Sequence, residues 1–148
     1  MNVKPEVSIR LGTDLDADEV YRLACVLATS AVPARRAFEE SFRAVLDDAR
    51  QVLLVAVAPA WPGLVGYVHG LAHPAFHANG NVAWVEELVV DEPVRGAGTG
   101  RALMDAFDGL AASSGVDARY LALATRRAAR FYQALGYEES ASYFKKRR

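Results

Sequence analysis

The 148 residues include one cysteine, Cys25. An internal disulfide is therefore excluded, and such sparse usage fits a reducing compartment. Cys25 falls inside a helical pattern, where a buried structural thiol is the expected role. Long hydrophobic runs are missing too. The longest, Val52 to Ala58, is far shorter than the ~20 residues that span a bilayer. The opening Met1-Asn2-Val3-Lys4-Pro5-Glu6 lacks the apolar core of a secretory leader, so a cytoplasmic protein is expected. Net charge is nearly absent: 17 basic against 18 acidic residues give -1. Four of the basic residues close the chain as Lys145-Lys146-Arg147-Arg148, leaving the body with 13 basic and 18 acidic residues. A short basic end of this kind reads as solvated rather than as a nucleic-acid contact. There is no repeat, low-complexity segment or linker, and residues 1–148 read as one domain able to bury about two-thirds of its unfolded surface.

What is present is an alternation of strand and helix patterns. Val7 to Leu11 alternates as a first strand. Asp16 with Glu19 three residues on reads as a capping box, ahead of a helical face of Val20, Leu23, Ala24 and Leu27. Pro33 opens a second helix carrying Phe38, Phe42, Val45 and Leu46. Gln51 to Ala58 and Leu64 to Leu71 form a hairpin across Pro59-Ala60-Trp61-Pro62-Gly63. Ala72 to Asn81 reads as a loop, followed by a strand over Val82 to Val90. A helix runs on to Ala112, and a strand within Asp117 to Thr125 must lie parallel to the one before that helix. Ala128, Phe131, Tyr132 and Leu135 mark a short helix stopped by Gly136. Tyr137 to Lys146 is expected to hold a last strand or two, with Tyr143 as packing or pocket lining. The sum is an α/β domain with a mixed sheet.

The corner between Val90 and Leu103 is the most informative stretch. Pro93 ends the strand's hydrogen bonding, and Gly96, Gly98 and Gly100 follow at alternate positions. Glycines allow a sharp turn and keep Cβ atoms away from whatever approaches the backbone. The N–H groups at the start of the following helix, backed by its dipole, suit a pyrophosphate, with Arg95 and Arg101 adding positive charge. The loop has neither the Gly-Lys-Ser/Thr ending of a P-loop nor the G-x-G-x-x-G spacing of a dinucleotide fold.

The pattern Arg95-x-x-Gly98-x-Gly100 resembles the acetyl-CoA loop of the GNAT N-acetyltransferases, Q/R-x-x-G-x-G/A, with Leu88 to Val94 as its lead-in. A second segment, Phe131-Tyr132-Gln133-Ala134-Leu135-Gly136-Tyr137, is similar to the family's F-Y-x-x-L-G-F. The family often has Asn where this chain has Thr125; Ala128 matches. The resemblance implies a GNAT-like fold: a mixed, mostly antiparallel sheet with one splayed parallel strand pair and helices on both faces. It implies acetyl-CoA as acyl donor, bound by the edge Leu88, Val89 and Val90, by the loop Arg95, Gly96, Ala97, Gly98, Thr99, Gly100 and Arg101, and by Thr125 and Tyr132. It implies an amine acceptor on a small molecule or peptide, and Tyr132 as the acid beside the coenzyme sulfur. Homodimers are common in the family; no residue pattern here marks one.

Glu86 and Glu87 precede that edge and are candidates for deprotonating the amine. Neighbours in a strand point to opposite faces, so one would face the acceptor unless a bulge let both contribute. A carboxylate near pKa ~4.3 is a weak base, which calls for a relayed proton or a burial-raised pKa. His69, His73 and His77 recur every four residues, but Gly70 and Pro74 interrupt any helix, so no metal site is expected. The alternative to an active enzyme is an acyl-CoA-binding sensor, which would need neither the acid nor the base.

Overall fold

The computed structural model describes residues 6–28 and 31–148; residues 1–5, part of the stretch read for a leader, lie outside them. Five strands form one sheet in the order β1-β2-β3-β4-β5. They are β1 (Ser8–Leu11), β2 (Gln51–Val57), β3 (Leu64–Ala75), β4 (Gly80–Val90) and β5 (Ala118–Leu123). The first three pairings are antiparallel and the last, β4 with β5, is parallel. Helices α1 (Ala17–Leu27) and α2 (Arg35–Asp47) connect β1 to β2, α3 (Thr99–Ala111) connects β4 to β5, and α4 (Ala129–Ala134) follows.

Two hydrophobic cores lie on opposite faces of the sheet. On one, Leu103, Met104 and Phe107 of α3 pack onto Leu54, Val68 and Val85, with Phe131 and Tyr132 of α4 and Leu135 just after it at the margin. On the other, Val20, Leu23 and Ala24 of α1 and Phe42 of α2 pack onto Leu53, Val55, Tyr67 and Val89. The alternation of β2 and β3 feeds both, because successive side chains point to opposite faces.

Three sequence expectations are corrected. The box at the start of α1 is not Asp16–Glu19. Thr13 N–H donates to Asp16 Oδ2 at 2.8 Å, and Glu19 reaches away to accept from Leu64 N–H at 3.0 Å. The expected loop over Ala72 to Asn81 is mostly strand: pairing continues to Ala75↔Gly80, leaving a turn at Phe76–Ala78. Pro74 fits there because Ala72 N–H donates toward β2, to Arg50 O. Two residues on, the Pro74 nitrogen faces the same side, where β2 has already ended and no donor is needed. Finally, Tyr137 to Lys146 forms no strand. Its polar residues leave it without a stripe to bury, and Tyr143 and Phe144 are exposed.

Arg10 and Asp16 tie β1 to this face through two 2.8 Å hydrogen bonds. The guanidinium holds the Asp16 carboxyl below the usual carboxylate range, opposed by partial burial. A depressed pKa stabilises the fold above the unfolded pKa of ~3.9, and that contribution disappears as pH falls through the folded value. Asp16→Asn should therefore cost about 1–2 kcal/mol at pH 7, the half-exposed Arg10 limiting the loss. Urea melts of both proteins from pH 7 down to 3 should show the gap closing below about pH 4. A constant gap would mean that shape, not charge, is what Asp16 supplies.

Candidate active site

β4 carries an irregularity at the centre of the sheet. His69 of β3 stands opposite Glu87, and the next residue, Gly70, opposite Val85, so Glu86 is an extra, bulged residue. Gly70 leaves the room this requires. A Cβ there would lie 2.5 Å from the Phe107 ring and 2.6 Å from Trp84 O. Before the bulge, β4 pairs with β5 as far as Val85↔Leu123; beyond it β4 pairs only with β3.

The polar groups left over can be assigned. Asp91 N–H donates to Val65 O at 2.9 Å, so the backbone of Asp91, and by alternation that of Val89, faces β3. Leu88 and Val90 then turn their N–H and C=O groups outward, into the opening left by β5. Val90 O there accepts from Arg95 Nε at 3.0 Å. Leu88 has no partner for either group among the described residues. Val89 is instead a core residue, 3 % exposed.

The glycine corner follows at once. Asp91 accepts from Glu92 N–H and, at 3.0 Å, from Arg22 of α1, which also donates to Leu64 O. These bonds fasten the lead-in to the body. Gly96 and Gly98 have left-handed φ values of 81° and 93°, and a Cβ on either would meet no atom within 4 Å. Gly100 serves differently: its Cβ would press on Phe131 Cζ at 3.2 Å. The N–H groups from Gly96 to Arg101 donate to no acceptor among the described residues, as expected for a helix start. Arg95 and Arg101 are exposed beside them, while Ala97 is half-buried. The Thr99 hydroxyl is buried and has no partner among the described residues. Free donors around two glycines open to the outside fit a pyrophosphate.

α4 sets Tyr132. Its end is a Schellman turn: Tyr137 N–H donates to Tyr132 O and Gly136 N–H to Gln133 O, both at 3.0 Å, with Gly136 at φ 94°. The turn folds Tyr137 back so that its ring stands 5.7 Å from that of Tyr132. Burial pushes both phenols up, Tyr137 to about 12. Tyr132 is therefore protonated at neutral pH. At the other end of α4, the Thr125 hydroxyl accepts from Ala128 N–H at 3.1 Å and fixes the helix entry.

On the α1–α2 face, Glu87 is half-buried and Glu86 exposed. Glu87 Oε1 accepts from the Tyr67 hydroxyl at 2.6 Å. Burial and the Glu87 charge hold the Tyr67 phenol far above its ordinary pKa, so it donates. His69 Nε2 bonds Gln51 Oε1 at 2.8 Å. Burial lowers the His69 pKa, against the pull of both glutamates, which the bulge keeps close enough to act on it. The sequence pointed to the glutamates but missed Tyr67, and it singled out His69 only as one of three regularly spaced histidines. Alternation along β3 puts 67 and 69 on one face, yet only the register with β4 pairs them with Glu87. His73 and His77 bond Pro74 O and Tyr120 instead, and no group of three potential metal ligands occurs among the described residues.

Comparison with known proteins agrees with this architecture. Residues 48–139 match the model of the acetyltransferase (GNAT) domain. Over 98% of its length the chain is 31% identical to an aminoalkylphosphonate N-acetyltransferase of Salmonella typhimurium, covering 94% of that protein. Among solved structures it resembles a transcriptional regulator from Bacillus halodurans C-125, with TM-score 0.83, 21% identity, and 96% and 99% of the two chains covered. A glucosamine-6-phosphate N-acetyltransferase from Arabidopsis thaliana gives TM-score 0.82 at 16% identity, with 96% and 98% covered. A mixed sheet split in this way is thus that of an acyltransferase fold. The chain belongs to the GNAT acetyltransferase family, whose members use acetyl-CoA as donor, and it is an enzyme of the N-acetyltransferase kind.

Gly98 and Gly100 have separable roles. Gly98→Ala should cost about 1–2 kcal/mol, the penalty of a left-handed φ, and leave α4 undisturbed. Gly100→Ala should instead shift the ring resonances of Phe131 and Tyr132. Urea melts and aromatic NMR spectra of the two variants decide this. Undisturbed rings in Gly100→Ala would show that α4 does not lean on the loop.

Proposed function

We propose that residues 1–148 act as one N-acetyltransferase domain that moves an acetyl group directly from acetyl-CoA to a primary amine of a small molecule or peptide. The observation that carries this reading is the outer edge of β4 past its pairing with β5, where Leu88 and the Val90 N–H have no partner among the described residues, set beside the N–H groups of residues 96 to 101, which have none there either. Acetyl-CoA supplies a thioester, whose carbonyl carbon is open to attack by a neutral amine. The N–H groups of Gly96, Ala97, Gly98, Thr99, Gly100 and Arg101 receive the pyrophosphate, with Arg95 and Arg101 adding charge. Leu88 and Val90 offer their main-chain groups to the amides of the pantetheine arm, and Val89 anchors the strand between them. Thr125 contributes by holding the entry to α4.

Amines of pKa about 10 arrive protonated, so the site must remove a proton before attack. Glu87 is the better placed of the two glutamates. It lies half-buried in the face bounded by α1 and α2, with one oxygen fixed by Tyr67 and the other available to the ammonium. His69, its pKa lowered by burial, is neutral at pH 7 and offers Nδ1 as the next acceptor. Glu86, exposed on the bulge, adds negative potential. From the opposite face, Tyr132 gives a hydrogen bond or proton to the departing thiolate, which has a pKa of about 8.5. The single free Cys25 supports a reducing, cytoplasmic setting.

Acetyl-CoA at about a hundred times its Kd should stabilise the protein by ~2.7 kcal/mol, or roughly 5–10 °C in Tm. NADH should give no shift; a larger shift with NADH would overturn the reading.

Tyr132→Phe keeps the ring and removes only the hydroxyl. Acetyl-CoA affinity should hold while kcat falls about 10²-fold, which is ~2.7 kcal/mol of transition-state stabilisation. Steady-state kinetics under chemistry-limited conditions tests it, and an unimpaired variant would make Tyr132 a packing residue. Glu87→Gln should lower kcat/KM about 10-fold or more, most of all below neutral pH, with Glu86→Gln milder. Equal, flat profiles for both variants over pH 6 to 9 would assign proton removal elsewhere.

A further inference from the structure

Between α1, α2 and the sheet lies a cavity of about 500 Å³, with Glu87, Tyr67 and His69 among its lining residues. Its walls are hydrocarbon: Val20, Leu27, Phe38, Phe42 and Leu53. The polar side chains gather on the sheet, where Tyr67 and His69 flank Glu87, with Ser41 alone on the α2 side. Glu87 is the one carboxylate in the lining, and no arginine or lysine lines the cavity among the described residues. The connecting segment from Ala28 to Ala34 carries no charged residue either.

Such a cavity selects by charge as much as by shape. An ammonium meets Glu87 and leaves its solvated state for a paired one. Any anionic group on the same ligand would have to enter hydrocarbon with no cation to receive it, and next to a carboxylate. We infer, building on the acetyltransferase reading above, that the acceptor is a small primary amine with an alkyl or aryl body and no anionic group. Its nitrogen lies at Glu87 and its body lies between Phe38, Phe42 and the α1 side chains. The aminoalkylphosphonate for which the Salmonella relative is named is the kind of acceptor this cavity turns away.

Isothermal titration measures this without turnover, using the protein alone and its complex with coenzyme A, against 2-phenylethylamine, hexylamine and 2-aminoethylphosphonate. The two apolar amines should bind at least about 10-fold tighter than the phosphonate, the scale on which a hydrophobic pocket discriminates. Ala37 and Ser41 lie in the lining on the exposed side of α2, where substitution leaves the core intact. Ala37→Arg, with Ser41→Arg as a second variant, should weaken the apolar amines and strengthen the phosphonate, narrowing or inverting the ratio. Equal or tighter phosphonate binding by the parent protein overturns the inference. So does an unchanged ratio in both arginine variants. If acetyl-CoA gives its thermal shift in that same protein, the acetyltransferase reading survives either result. If acetyl-CoA does not bind at all, that reading falls, whereas the amine affinities of the coenzyme-free protein still test the cavity on their own.

Discussion

One extra residue in β4 governs the site. The bulge at Glu86 needs Gly70 opposite it, because the Phe107 ring and the Trp84 carbonyl leave space for a hydrogen and no more. A bulge bends its strand and increases the local twist. After it, β4 holds its pairing with β3 but has left β5, whose last paired residue is Leu123. A sheet that is closed on both edges of a strand has no main-chain groups to offer a ligand. Here the split leaves Leu88 and the Val90 N–H without partners among the described residues, beside a helix start whose glycines also present unpartnered donors.

The two faces of the sheet then acquire different chemistry through that split. α4 leans on Gly100 through Phe131, and its Schellman turn presents Tyr132 as a buried, protonated phenol. Across the sheet, Tyr67 and His69 surround Glu87 under the α1–α2 layer. A buried phenol on one face and a half-buried carboxylate on the other thus flank the same strand. Arg22 links the halves mechanically, since it bonds Glu19, Leu64 O and Asp91 together and so fixes where β4 ends.

The neutrality of the protein as a whole hides a local bias. Its basic residues at 145–148 lie along an exposed tail, and among the described residues no arginine or lysine lines the cavity under α1 and α2. Burial amplifies the single charge there, because a low-dielectric wall screens it less than water does.

Several features were legible in the sequence because they are local. Glycine at 96 and 98 is written into the backbone, since only glycine readily adopts φ near 81° and 93°. Gly136 and the residues before it encode a helix stop within six positions. The spacing of Phe38, Phe42, Val45 and Leu46 encodes the inward face of α2. The strand end at Ala75 was not legible, as Pro74 is tolerated only because β2 stops short beside it. Nor was the fate of residues 137–146, whose aromatic pair suggests a strand that no neighbouring apolar face supports. The pairing of Glu87 with Tyr67 and His69 lay out of reach for a further reason. Sequence gives each strand its two faces, but which residues of two strands meet is fixed by register, and here by a single bulge that shifts it by one. The chain alone therefore determined the glycine corner and the helix that carries Tyr132. Tertiary structure decided which glutamate faces the cavity under α1 and α2 and what else lines it, because those contacts join residues far apart in sequence through packing and ladder register alone.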